Sequence, residues 1–242
     1  MYWCQVNRDK LLHYLPRGGI VSEVGVYAGA YAETIVRTCQ PAKLFLIDKW
    51  DFSDPAYQAQ SQSYPDQDGD AVFASVAKNF GARIAAGQVQ VVRADSVTAA
   101  ARFEPGTFDW VYIDSDHRYE AVLADLQAYA RLLKPDGLLL GHDFEEPTFE
   151  MAARMNFGVT KAVREFLRQS DFEMLLISSG FWATYCLTRN PTGALAKGIV
   201  SSILADGSAI VEMGDIERIR FHWDTVTVGG RTLHYRRIEC VE

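Results

Sequence analysis

Cysteine is scarce in this sequence and is never paired at metal-binding spacing. Cys4, Cys39, Cys186 and Cys240 stand far apart, with no Cys-x-x-Cys among them. That excludes a zinc ribbon and a disulfide scaffold, and the simplest reading is free thiols in a reducing compartment. Positive charge is also short. The 242 residues carry 24 Lys and Arg against 31 Asp and Glu, a formal charge of −7, whereas a nucleic-acid surface normally carries a basic stripe. The one dense basic stretch, Arg231 to Arg237, alternates with apolar residues as an exposed strand face does. No apolar run reaches the length of a membrane span, and the opening MYWCQVNRDK lacks a basic region followed by an apolar one. A cytoplasmic protein with neither nucleic acid nor membrane as partner is therefore expected. A nucleophile elbow and a phosphate loop are missing too.

What is present is a globular composition, 48% hydrophobic and 23% charged, in a chain long enough to bury a sizeable core. The stretch 108–144 organises it. The apolar run Trp110–Ile113 is rich in β-branched and aromatic residues, which predicts a buried strand stopping at Asp114. From Ala121 to Leu133 apolar residues recur at helical spacing, and Pro135 with Gly137 should end that helix. A second strand, Leu138–Leu140, stops at Gly141-His142-Asp143. Two strands joined by a crossover helix are parallel, and a right-handed crossover puts their carboxyl ends on one edge. Asp114, Asp116, His117, His142 and Asp143 are therefore expected together at the edge where open α/β sheets bind ligands. Any one of them alone would read as a polar loop cap.

Residues 8–15 read as a short amphipathic lead-in. The strand Ile20–Val24 then runs through Gly25 and Gly29 into a helix, a turn in which glycine lets backbone approach a ligand. Its spacing lacks the third glycine of the dinucleotide fingerprint, which counts against a nicotinamide or flavin cofactor. Asp48 ends the strand KLFLID, positioned to accept from ribose hydroxyls. The strand VQVVRADS ends in Asp95-Ser96. Five strand–helix repeats call for a doubly wound, mostly parallel sheet.

The segment after Lys49, with Trp50, Phe52, Tyr57 and Tyr64, is too long for an ordinary connection and reads as a lid or a surface insertion. Residues 144–158 form a second irregular wall. VTKAVREFLRQ is a helix, and the runs Glu173–Ile177 and Trp182–Thr188 make an antiparallel hairpin that reverses the last strand. From about Asn190 the signals are Asp206-Gly207 and Gly229-Gly230 between apolar runs, both hairpin turns. Residues 1–190 thus read as one domain. Residues 191–242 read as a small β appendage without helices that covers an edge or forms a homo-oligomer.

With these residues assembled, residues 18–190 resemble the class I S-adenosylmethionine-dependent methyltransferases, with their Rossmann-like sheet. Glu23 through Gly29, including Gly25 and Tyr27, looks like their first motif, Asp48 with Lys49 like the ribose-binding end, and Asp95-Ser96 like the adenine turn. Residues 111–144 are similar to the small O-methyltransferases related to macrocin O-methyltransferase and the cephalosporin-biosynthesis methyltransferase. The resemblance implies S-adenosylmethionine as cofactor, contacted also by Asp114, and a hydroxylated small molecule as acceptor. It implies a divalent metal, magnesium or manganese, at Asp114, His142 and Asp143, and His117 as the base beside Asp114. His142 departs from the acidic pattern, which leaves open a site of Asp114 and Asp143 alone, or one favouring manganese or zinc. Two other readings stand beside it: a metal-dependent hydrolase, and a non-catalytic cofactor-binding or assembly module.

Overall fold

The computed structural model of the chain describes residues 1–53, 67–146, 157–180 and 182–241. β1 (Tyr2–Cys4) leads to the short helix α1 (Arg8–Leu11), whose Asn7 cap accepts from the Lys10 amide at 2.8 Å. The strand–helix alternation expected from the sequence follows. It comprises β2 (Ile20–Val24), α2 (Ala30–Cys39), β3 (Lys43–Asp48), α3 (Gly69–Asn79), α4 (Gly81–Ala85), β4 (Val89–Arg93) and α5 (Ser96–Ala100). It continues with β5 (Phe108–Ile113), α6 (Tyr119–Ala130), β6 (Leu133–Gly141) and α7 (Val159–Gln169). Then come β7 (Glu173–Ser178), β8 (Tyr185–Thr188), α8 (Ala194–Ala205), β9 (Ile210–Glu212), β10 (Ile219–Val228) and β11 (Arg231–Cys240).

The main sheet has nine strands in the order β4-β3-β2-β5-β6-β8-β7-β1-β9. β8 runs antiparallel to both its neighbours, β6 and β7, and β2 through β6 are parallel. This is the mostly parallel, helix-flanked sheet with a reversed last strand that the sequence implied. The chain builds outward from β2 first to β3 and β4, then on the other side to β5 and β6. The crevice between β2 and β5 is thus the switch point where such sheets bind ligands.

Both faces of the sheet are covered, which is why the central strands are apolar without alternation. Trp110, Tyr112, Leu138 and Leu140 pack with α1, α2 and α8 on one face, while Val111, Ile113 and Leu139 pack with α6 and α7 on the other. The separate β10–β11 ribbon pairs from Ile219↔Cys240 to Val228↔Arg231, closing at the expected Gly229-Gly230 turn. Its base is anchored by buried Ile219 and Phe221.

Four expectations need correcting. Residues 194–205 form a helix, so the segment after Asn190 is not free of helices; Ala196, Ile199 and Ile203 repeat on one face and bury it. Asp206-Gly207 is accordingly that helix's C-terminal turn, with Gly207 at φ 74°, and not a hairpin. α6 ends at Ala130, and Leu133 opens β6; Pro135 sits where the β5–β6 register jumps from Phe108↔Leu133 to Trp110↔Leu138. The last strand begins at Tyr185 and leaves Trp182 in the preceding loop. The lid residues Tyr57 and Tyr64, and most of the second irregular wall, lie outside the described residues.

Candidate active site

Registers alone bring the strand ends together. Val24 pairs with Ile113 and Ile113 with Gly141, so Gly25, Asp114 and His142 leave the sheet side by side. The ladder carries on past the strands: the Asp114 amide donates to Val24 O at 2.7 Å and the His142 amide to Ile113 O at 3.1 Å. Gly25 sits at φ 88°, and a Cβ there would lie 2.1 Å from Asp114 O. Only glycine fits so close a backbone crossing in that conformation. Gly29, at φ 81°, forms the entry to α2. Asp48 ties the turn down, its Oδ2 accepting from the Val26 and Tyr27 amides at 2.9 Å and its Oδ1 from the Trp50 amide at 2.7 Å.

These elements enclose a cavity of about 900 Å³. Glu23, Gly25, Tyr27, Asp48, Lys49, Asp95, Ser96, Asp114, His117, His142 and Asp143 all line it, whereas Gly29 shapes the turn from behind. Along the edge, Asp95 and Ser96 follow β4, Asp48 ends β3, and Glu23 and Asp114 sit at β2 and β5. Glu23 is 2% exposed, and its Oε2 is buried without a hydrogen-bond partner. Burial, with Asp114 nearby, pushes its carboxyl well above the usual range. A buried polar atom with no partner, facing a cavity, fits a ligand that supplies the missing bond.

On the other side of the cavity His117 Nε2 lies 2.8 Å from Asp143 Oδ2 and 3.5 Å from Asp114 Oδ1. Asp143 is held at φ 58°, a left-handed conformation unusual for an aspartate and one that clusters at functional sites. Burial lowers the His117 pKa, but the charges of Asp143 and Asp114 outweigh it and raise the value to about 10. Burial likewise opposes the charge of Asp143, yet His117 and His142 hold its carboxyl far below the usual range. One ligand atom from each of Asp114, His117 and Asp143 lies within 4.8 Å of the others. The 2.8 Å contact leaves His117 Nε2 without an aligned hydrogen bond. The Asp114 and Asp143 carboxylates offer hard oxygen donors that fit a divalent cation, with the partly buried His117 imidazole beside them. His142 stands beside this triplet, its Nδ1 3.2 Å from Asp143 Oδ1 and 3.9 Å from Asp114 Oδ2.

Phe157 belongs to the expected wall segment 144–158, whereas Trp182, Asp125 and Arg8 are contributors that the sequence does not mark. Phe157 and Trp182 continue the wall from His117, with ring centroids 4.6 Å and then 5.1 Å apart. Asp125, on α6, is buried and accepts from Ser96 Oγ at 2.5 Å and Ser115 Oγ at 2.6 Å, joining the loops after β4 and β5. Burial raises its pKa to about 6, against the pull of the two hydroxyls. Arg8, on α1, donates to Asp114 Oδ2 at 3.1 Å. An acid on an amphipathic helix and an arginine in a lead-in carry no signal of a site. Trp182, within a run read as strand, was placed by pattern on the wrong element.

Comparison with known proteins bears on what the cavity is for. No curated protein matches the sequence. Among solved structures the chain is similar to an S-adenosylmethionine-dependent methyltransferase from Aquifex aeolicus, with TM-score 0.52 and 15% identity over 75% of this chain and 88% of that one. It is similar also to the pyocyanin biosynthetic protein PhzM, with TM-score 0.51 and 15% identity over 74% of this chain and 54% of that one. A third is spermidine synthase from Thermotoga maritima, with TM-score 0.50 and 15% identity over 80% of this chain and 59% of that one. At such identities the likeness is one of fold, and this sheet hosts more than one chemistry. The sequence itself is more specific, because a family model described as a methyltransferase domain matches residues 22–144. That match spans half the chain and runs from the first cofactor motif to the loop holding Asp143, so the chain belongs to this methyltransferase family, as a class I S-adenosylmethionine-dependent enzyme.

Proposed function

We propose that the enzyme moves the methyl group of S-adenosylmethionine to a hydroxyl of a small molecule such as a sugar, phenol or natural-product scaffold, with help from a divalent metal. The observation that carries this reading is the convergence of Asp114, His117 and Asp143 on one side of the cofactor cavity. In the transfer an acceptor oxygen lone pair forms the new C–O bond. The S–CH3 bond breaks with its electron pair going to sulfur, leaving S-adenosylhomocysteine. The acceptor's proton must leave, and His117 Nε2 is placed to take it. Asp114 and Asp143 would hold the cation, with His142 adjoining; its charge would make a hydroxyl more acidic and offset the carboxylates that otherwise keep His117 protonated. Among the described residues, nine carboxyl side chains line the cavity against three from Lys and Arg, a field that favours a sulfonium cation. Phe157 and Trp182 give an aromatic wall beside His117, suited to a ring-bearing acceptor.

Calorimetry with S-adenosylmethionine, followed by a panel of hydroxylated acceptors with and without magnesium or manganese, tests the proposal. Absence of binding at millimolar cofactor would overturn methyl transfer. Methylation confined to nitrogen or carbon would overturn the hydroxyl acceptor. Activity indifferent to EDTA would remove the metal.

A further inference from the structure

We infer that Arg8 binds the α-carboxylate of the cofactor's amino-acid tail. The inference rests on the methyltransferase reading, and it concerns a residue outside the family match, which begins at residue 22. The polar strand ends fix the direction of the cofactor: the adenine turn at β4 and the ribose acid at β3 leave β2 and β5 for the amino-acid tail. Arg8 stands at that end. Its Nη1 lies 3.1 Å from Asp114 Oδ2, and its guanidinium lies over the Tyr31 ring of α2, 4.7 Å from the centroid. It lines the cavity with its side chain 37% exposed.

Charge favours a cation at this end. The tail carries an α-carboxylate as well as an ammonium, and here it enters beside the Asp114 and Asp143 carboxylates. Of the three Lys and Arg residues that line the cavity among the described residues, Lys49 follows β3 at the ribose end. Arg118 grips Asp116, with Nε 2.8 Å from Oδ2. Arg8 is the one at the tail end. Its fork carries five N–H donors, so it can hold Asp114 through one nitrogen and a ligand carboxylate through another. Stacking on Tyr31 orients the guanidinium beforehand, and a 3.4 Å hydrogen bond from Tyr31 Oη to the backbone carbonyl of Arg8 fixes the main chain that carries it.

The test compares two ligands that differ at this end. S-adenosylhomocysteine carries the amino-acid tail, and 5′-methylthioadenosine is the same thioether nucleoside without it. Calorimetry of Arg8→Ala should show Kd for S-adenosylhomocysteine raised about 10- to 100-fold, as for a lost charge-assisted hydrogen bond. Kd for 5′-methylthioadenosine should stay within about twofold, and Arg8→Lys should fall between Arg8→Ala and the wild type. Equal weakening of both ligands, or no change in either, overturns the inference. If Arg8→Ala binds neither ligand because it fails to fold, Arg8→Gln is read by the same comparison. A wild type that binds 5′-methylthioadenosine as tightly as S-adenosylhomocysteine overturns the Arg8 assignment alone. One that binds neither, nor S-adenosylmethionine, overturns the methyltransferase reading with it.

Discussion

A histidine pressed against two carboxylates can serve as base only if something removes it from their grip. His117→Gln keeps the size and one hydrogen bond but cannot take a proton at neutral pH. Turnover should fall about 10²- to 10⁴-fold, while the affinity for S-adenosylhomocysteine, read by calorimetry, should change less than threefold. Asp125 gives a prediction about pH. Its folded pKa, about 6, lies above the usual 3.8, so the folded state holds more protons between those values. Stability should therefore decline as pH rises from about 4 to 6, by on the order of 2–3 kcal/mol. Urea unfolding of wild type and Asp125→Asn across that range checks it, since the slope due to this group should vanish in the variant. Asp114 and Asp143 were legible in the sequence because each follows an apolar run whose end the sheet must place at one edge. Asp125 was not, since nothing along α6 marks which polar residue faces inward under two loops.

At the level of elements, strands β2 to β6 could be read directly because each carries a short cluster of apolar, mostly β-branched or aliphatic residues ahead of a polar strand end. α8 could not be read this way. GIVSSILA is rich in β-branched residues, and the Asp206-Gly207 pair suits a hairpin as well as a helix end, so local preference favoured strands. Tertiary packing decided otherwise: Ala196, Ile199 and Ile203 fill one face against the sheet. Ile203 is 0% exposed. Ile203→Ala should therefore cost about 2–4 kcal/mol in chemical denaturation, as at other buried aliphatic positions. The ribbon shows the opposite case, where a two-residue glycine turn between alternating runs specified β10 and β11 correctly. It is not an idle appendage, because Trp223 Nε1 donates at 2.9 Å to Glu145 Oε2, which lies two residues past Asp143.

For the whole molecule, the segment after residue 190 is bound up with the body that precedes it. α8 covers the face shared by Leu11, Leu12 and Cys4, and β9 pairs with β1 from Tyr2↔Glu212 to Cys4↔Ile210. A chain ending at residue 190 would expose that face and leave β1 as an unprotected edge. It should unfold at a lower temperature than the full chain, by 10 °C or more, and bind an apolar dye before melting. Thermal scans of the two chains would show it. Arg8 could not be placed from sequence for the same reason, since its position depends on pairing between segments far apart.

The pairing of β1 with β7, Tyr2 opposite Leu176, also sets a calendar for the growing polypeptide. Tyr2 leaves the ribosome some 170 residues before the neighbour it pairs with, about 10–30 s at ordinary elongation rates. β2 through β6 can collapse together during that interval. β1 can join the sheet only after β7 has been made, so the outer strands at that edge of the sheet close last.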